Sequence, residues 1–366
     1  MSNSIGLYIH IPFCKSKCPY CDFYSKAGNE TEYDRYVKIL SDKIYFWGSK
    51  TEKSVFSIYF GGGTPSALGA ERLCYLLSKI KENFDIEGNA EVTAEINPDT
   101  GKTINFKLMK KAGFNRISVG LQSAVDKEIK ILGRIHSIED AKLTVQRAKA
   151  AGIGNISLDL MMGIPYQTIE SLKKSIEFCA DCGVTHISSY ILKLEEGTKF
   201  YSIKDKLILP DDDSQAELYL TAVKYLESFG YEQYEISNFA KKGYESVHNT
   251  NYWKCGEYIG IGPSAHSFFE GKRFYYDRDL SDFEINEPVE DCEGGSKEEF
   301  IMLNLRLKSG LNFKEYKDKF NEPLSHSVLD KIKKYAEMGF MVIDAEKAFF
   351  TPQGFLVSNT ILSDLI

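Results

Sequence analysis

What most limits the folds open to this chain is an alternation that fills its first 230 residues: short apolar runs rich in β-formers, each followed by an amphipathic segment. The runs are Leu7 to Ile11, Val55 to Phe60, Glu91 to Ile96, Arg116 to Val119, Ile156 to Leu160 and Ile187 to Ile191. Between and after them lie helical patterns near Glu32 to Trp47, Ala70 to Phe84, Ile104 to Ala112, Ile138 to Ala151, Thr168 to Cys182 and Asp213 to Phe229. Such alternation implies parallel strands joined by crossover helices, because a parallel neighbour is reached only by a connection that returns the chain to the same end. Helices stop at Gly113, Gly152, Gly183 and Gly230, where a left-handed cap is expected. The reading is an α/β fold of six β-α units.

Beyond Gly230 the pattern changes to aromatic-rich irregular sequence as far as about Arg278, then to an acidic stretch with Glu287, Pro288, Glu290, Asp291 and Gly294-Gly295 that reads as a linker. From Ser296, helical patterns at Glu298 to Leu307, Phe313 to Phe320 and Ser325 to Met338 precede a β candidate at Phe340 to Ile343 with Phe349-Phe350. Three helices and a hairpin describe a small α+β, winged-helix-like domain. The boundaries that follow are 1–235, 236–295 and 296–366.

A net charge of −7 argues against a nucleic-acid binder, since phosphate contacts need clustered Lys and Arg. No apolar run is long enough to span a bilayer, and the start lacks a basic region followed by an apolar stretch, so the expected location is the cytoplasm. In a reducing compartment, eight cysteines point to metal binding or burial rather than to disulfides.

Cys14, Cys18 and Cys21 lie directly after the first strand, spaced by three and then two residues. A loop of this kind can wrap one metal centre. Three thiolates on a 4Fe-4S cluster leave one iron open, and an open iron can chelate the amino and carboxylate groups of S-adenosylmethionine (SAM) and pass an electron into its sulfonium. The plainer alternative is a zinc knuckle, for which His10 is an awkward fourth ligand because it belongs to the strand. Gly61-Gly62-Gly63-Thr64-Pro65 follows the second strand, where missing side chains let backbone approach a ligand or make a tight turn. Glu95, Gln122 and Asp159 sit on or after successive strands and can point from one barrel mouth into a common cavity.

The cysteine spacing and its surroundings resemble the radical SAM superfamily and, over nearly the whole chain, its HemN/HemW family. The resemblance implies a partial (β/α)6 radical SAM barrel over 1–235 followed by the winged-helix-like domain. It implies a 4Fe-4S cluster on Cys14, Cys18 and Cys21, and SAM contacts from Tyr8, Tyr20, Gly62, Gly63, Thr64, Glu95, Gln122, Arg134 and Asp159, with room for one SAM molecule or two. For Arg134 the competing reading is an exposed residue at a helix end.

Two features separate the branches of that family. The coproporphyrinogen oxidase branch carries a further cysteine two positions after the third ligand, where this chain has Phe23, and an N-terminal arm that is missing here. In its place His248-Asn249-Thr250-Asn251-Tyr252-Trp253 matches the HNxxYW signature of the haem chaperones. A neutral imidazole can ligate haem iron, and Tyr252 and Trp253 offer flat surface to a porphyrin. The alternative is an aromatic corner in which His248 only makes hydrogen bonds. His266 and Cys255 are further ligand candidates, while Cys74, Cys179, Cys182 and Cys292 carry no assigned role.

The leading expectation is therefore a haem chaperone with a SAM-coordinating cluster and haem as cargo. Its implied partners are haem-accepting respiratory proteins and an electron donor to the cluster, with no nucleic acid; peripheral membrane association and a homodimer stay open. The rival is an enzyme acting on a porphyrin, by oxidative decarboxylation of coproporphyrinogen III or by radical methyl transfer. A DNA-binding regulator is disfavoured by the acidity.

Overall fold

A computed structural model of the chain describes residues 3–366. Six strands run parallel in the order β1 (Ser4–Ile11), β2 (Ser54–Gly62), β3 (Ile86–Ile96), β4 (Arg116–Gln122), β5 (Asn155–Met162) and β6 (His186–Ile191), each returning through helix. This is the partial (β/α)6 barrel. Its crossover helices start where the sequence supplies side-chain acceptors for the first free amides: Asn29 with Glu32, Ser137 with Asp140, and Thr168 with Ser171 form reciprocal capping pairs.

Alternation along the strands sorts the chemistry. On β1, Ile5, Leu7, Ile9 and Ile11 are fully buried within the apolar core. The positions in between turn inward, and across β2 to β6 the inward set includes Tyr59, Glu95, Arg116, Ser118, Asp159 and Ser188. The barrel thus has an apolar outside and a polar inside, the reverse of a barrel filled by aliphatic side chains.

Two stretches depart from expectation. The aromatic-rich segment after Gly230 is ordered sheet over much of its length. β7 (Glu232–Gln233) and β8 (Asn238–Ala240) close one edge against β6, while β9 (Tyr258–Ile261) pairs parallel to β1 at the other and continues through β10 (His266–Phe269) and β11 (Lys272–Tyr275). The acidic stretch read as a linker carries β12 (Val289–Glu293), which pairs with β11 as the edge of a 12-stranded sheet. All five of its residues are exposed, and Lys272 meets Glu290 at 2.8 Å. A solvated edge strand has the composition of a linker, so polarity alone could not tell them apart.

The C-terminal α+β unit contains helices Lys297–Asn304, Phe313–Phe320 and His326–Glu337 and a three-stranded sheet of β13 (Leu311–Asn312), β14 (Met341–Ile343) and β15 (Lys347–Phe350). Two further helices, Pro352–Leu356 and Ser358–Leu365, were not foreseen. The unit is stitched to the barrel by backbone hydrogen bonds from Ile236 to Arg306 and from Lys308 to Tyr234. Among the described residues, no helix is long and apolar enough to cross a membrane.

Trp47, at the end of the first crossover helix, holds the added strands in place: its indole stacks on Phe274 at 5.2 Å and donates to the Tyr276 hydroxyl at 2.9 Å. Trp47→Ala should cost about 3–5 kcal/mol. Hydrogen exchange should accelerate first in residues 258–293, ahead of the parallel strands.

Candidate functional site

The loop after β1 is pinned at its neck. The Cys14 amide donates to the Lys26 carbonyl at 3.0 Å and the Lys26 amide to that of Pro12 at 2.8 Å, while Phe13, fully buried, packs edge-on against Tyr33 and Tyr36. Held this way, the loop turns Cys14, Cys18 and Cys21 toward one cavity as free, partly exposed thiols. Cys14 Sγ lies 3.3 Å from Thr64 Oγ1, and Arg134 Nη1 lies 3.6 Å from Cys18 Sγ.

Gly62 and Gly63 make that approach possible. A Cβ on Gly63 would stand 2.8 Å from the Phe13 carbonyl oxygen and 3.1 Å from Cys14 Sγ; Gly62, at φ +112°, has no room for one beside the His10 ring. The glycines are thus required by the cysteine loop itself, whatever ligand they also serve. Among the described residues, no three His, Cys, Asp or Glu side chains gather closely enough to hold a single metal ion. A four-iron cluster takes each thiolate on a different iron, so a set of three separated thiols at a cavity mouth suits it.

The cavity measures about 550 Å³ and descends into the barrel. Around its mouth stand Tyr20, Gly62, Gly63, Thr64, Glu95, Gln122, Arg134 and Asp159, eight of the nine residues read as SAM contacts. Arg134 is not a solvated helix-end residue: it donates to Asn97 Oδ1 at 2.9 Å and to the Gly120 carbonyl at 2.5 Å. Gln122 holds a left-handed backbone (φ +71°) and accepts from the Tyr190 hydroxyl at 2.8 Å, strain of the kind that collects at ligand sites. Tyr8 does not line the cavity. It stacks on Tyr59 from behind and its hydroxyl meets His10 Nδ1 at 3.1 Å.

Glu95 and Asp159 face the same enclosed space. Burial, and then the neighbouring Asp159, pushes the Glu95 carboxyl up to about 8. Burial likewise raises Asp159, against hydrogen bonds from Ser188 and Ser118. The Asp159 charge opposes ionisation of Glu95, and a cation placed between the two carboxyls would favour their ionised forms. At its floor, Arg116 is 1% exposed, faces Glu91 at 3.9 Å, and leaves Nε and Nη1 without a hydrogen-bond partner. Tyr59, Asn97, Arg116, Ser118, Ser188 and Tyr190 were missed in the sequence. A charged residue opening an otherwise apolar strand was the available signal for Arg116.

The HNxxYW segment forms the helix Val247–Trp253. His248 is 1% exposed, and both ring nitrogens are engaged: Nδ1 with Ser57 Oγ at 2.9 Å and Nε2 with the Tyr252 hydroxyl at 2.7 Å. Burial pushes its pKa down to about 3, so the ring is neutral. The arrangement is the hydrogen-bonded corner, with no free nitrogen for an iron. Tyr252 packs edge-on against Tyr258, and Trp253 lies under Arg306, so the two do not form an open platform. From this segment it is Asn249 that reaches the cavity wall.

Comparison with known proteins accords with this geometry. The radical SAM superfamily model matches residues 8–179 and the HemN C-terminal domain model residues 297–357. The haem chaperone HemW of Haemophilus influenzae is 34% identical over 98% of this chain and 97% of its own length, and that of Bacillus subtilis is 35% identical over 97% of each. The chain belongs to the HemN/HemW family of radical SAM proteins. Among solved structures, the coproporphyrinogen III oxidase HemN of Escherichia coli superposes with a TM-score of 0.84, covering 100% of this chain and 90% of that one at 19% identity. At that identity the likeness speaks for the HemN/HemW fold alone.

Gly63→Ala should push the Cys14 loop out of register. Iron and sulfide content after anaerobic reconstitution should fall several-fold while circular dichroism stays unchanged.

Proposed function

We propose that this chain is a haem chaperone that carries a 4Fe-4S cluster on Cys14, Cys18 and Cys21, holds SAM in the barrel cavity, and passes haem to haem-accepting respiratory proteins. The observation that carries the reading is its end-to-end likeness to relatives named as haem chaperones, at 34–35% identity over 97–98% of the chain. The polar cavity beneath the cysteine loop supports the SAM part of it.

Bound there, cluster and SAM supply reductive cleavage of a sulfonium carbon–sulfur bond. The residues of the chain do the rest. Tyr20 borders the site beside Cys18 and Cys21 and offers a flat face to the adenine, Glu95 and Asp159 accept from hydroxyl and amino N–H groups, and Arg134 lies where it can pair with the carboxylate.

The haem part does not rest on His248, whose nitrogens are both occupied. Haem transfer to an apo-acceptor, measured beside SAM cleavage on the anaerobically reconstituted protein, tests the function. Transfer without decarboxylation of coproporphyrinogen III supports the chaperone; a decarboxylated porphyrin product replaces it with the oxidase.

Glu95 makes the SAM step pH-dependent. With its pKa near 8, above the ordinary 4.5, the folded empty protein holds a proton that the unfolded chain releases. This contribution to stability is complete below pH 4.5 and is lost as pH rises to about 8. A cationic ligand favours the ionised carboxylate, so SAM affinity should increase up to about pH 8 and then level off. Glu95→Gln should flatten that profile, read by equilibrium binding of radiolabelled SAM.

A further inference from the structure

The helix Val247–Trp253 lies against the barrel floor. Its first amides, those of Val247 and His248, donate to the Glu91 carboxylate at 3.2 and 3.1 Å, which places a buried anion at a helix N-terminus and opposite Arg116. From this anchored end the His248 ring reaches into the barrel interior. It is clamped on both sides, by Ser57 from β2 and by Tyr252 one turn along its own helix.

The free face of the ring is then decisive. It stacks on Tyr59, with centroids 5.2 Å apart and planes at 25°. Tyr59 in turn donates its hydroxyl to Glu95 Oε1 at 3.0 Å. Tyr8 also stacks on Tyr59, with centroids 6.3 Å apart and planes at 28°. A phenol ring stacked against two flat neighbours has little freedom to swing, and its hydroxyl helps fix where one Glu95 oxygen points. The other groups that face this carboxyl are Tyr8, Asp159, Arg116 and Tyr252; among the described residues it accepts from the Tyr59 hydroxyl and from the Gly62 backbone amide, and Tyr59 is its one side-chain donor.

We propose that His248 is a positioning residue of the SAM site: it sets Tyr59, and through the Tyr59 hydroxyl it orients Glu95 for the ligand. This goes beyond the haem chaperone reading, though it rests on that reading's claim that Glu95 contacts SAM. It gives the HNxxYW segment a task on the cofactor side of the protein rather than at a haem iron. Asn249, on the same helix, borders the same cavity.

A double-mutant cycle on the reconstituted full chain tests it, with the affinity for radiolabelled SAM and the electron paramagnetic resonance spectrum of the reduced cluster on SAM addition as readouts. Tyr59→Phe, which deletes one hydroxyl, and His248→Ala, which deletes the stacked ring, should each weaken SAM binding about tenfold. Because both act on Glu95 by one route, the double variant should lose about the same tenfold, not a hundredfold. His248→Phe, which restores a flat ring, should recover affinity to within about threefold of the parent.

The pH profile supplies a readout that a general loss of packing would not move. The Tyr59 hydroxyl stabilises ionised Glu95, so Tyr59→Phe and His248→Ala should shift the rise of SAM binding to higher pH. Independent, multiplying effects, an unshifted profile, or a His248→Ala protein that binds SAM normally while losing haem would each overturn the proposal. If Glu95→Gln leaves SAM binding and its pH dependence untouched, the assignment of SAM to Glu95 fails instead. Should His248→Ala not fold, Ser57→Ala takes its place in the cycle: it releases Nδ1 and lets the ring tilt, and should weaken SAM binding about threefold. Parent-like affinity there overturns the proposal equally.

Discussion

Glu91 and Arg116, a carboxylate and a guanidinium sealed inside the barrel, set the terms on which this fold closes. Neither charge is tolerable alone at such burial, where losing one partner of a buried pair costs about 3–5 kcal/mol. Their separation of 3.9 Å is loose, and Arg116 Nε and Nη1 have no hydrogen-bond partner among the described residues. What completes the arrangement is the helix Val247–Trp253, whose first amides take up Glu91. A segment that starts 125 residues beyond the end of β4 is therefore required before the interior of the six-stranded unit is electrostatically satisfied. The barrel and the region that follows it are one electrostatic unit, whatever boundary their sequence patterns suggest.

The same logic explains the polar interior. A strand whose inward positions are Tyr59, Glu95 or Asp159 loses the aliphatic filling that stabilises a closed barrel, and the hydrogen bonds from Ser118 to Asp159 at 3.0 Å and from Tyr59 to Glu95 at 3.0 Å recover only part of it. The compensation lies outside, where aliphatic residues of β1 to β6 and the crossover helices form one continuous apolar layer. Stability is concentrated on the outer face and chemistry on the inner one. Substitutions inside the cavity can then alter ligand binding while the apolar layer that carries the fold stays intact.

How much of this was legible depended on which residues had to differ from ordinary ones. The six β-α units were readable because apolar periodicity changes from two to near four at each crossover, and Cys14, Cys18 and Cys21 because thiols at that spacing have few other uses. Glu95, Gln122 and Asp159 were readable from their places on or after successive strands, Arg134 from the family pattern alone, and all four line the cavity. Strand β12 escaped notice because an edge strand needs no alternating apolar face, and it is wholly exposed; β9, β10 and β11 are four residues each, too short to show an alternation. His248 marks a different limit. A motif names its residues but not the direction in which a ring points, and the imidazole is turned inward, onto Ser57 and Tyr59, rather than outward to a cargo.

That orientation bears on how the cavity and the C-terminal unit are joined. The helix Val247–Trp253 touches the cavity floor at one end, while at the other Trp253 lies under Arg306, whose carbonyl accepts from Ile236 where the C-terminal unit joins the barrel. Between these ends it spans seven residues, about 10 Å of helix. Burial pushes Glu235, at that same junction, up to about 7, and its carboxyl is held by Ser237, Asn238 and Trp253. A short rigid element fixed to Glu91 at its start and to this junction at its end cannot shift at one contact without straining the other. One short helix therefore joins the lining of the cavity, through Asn249, to the seat of the C-terminal unit, through Trp253 and Arg306.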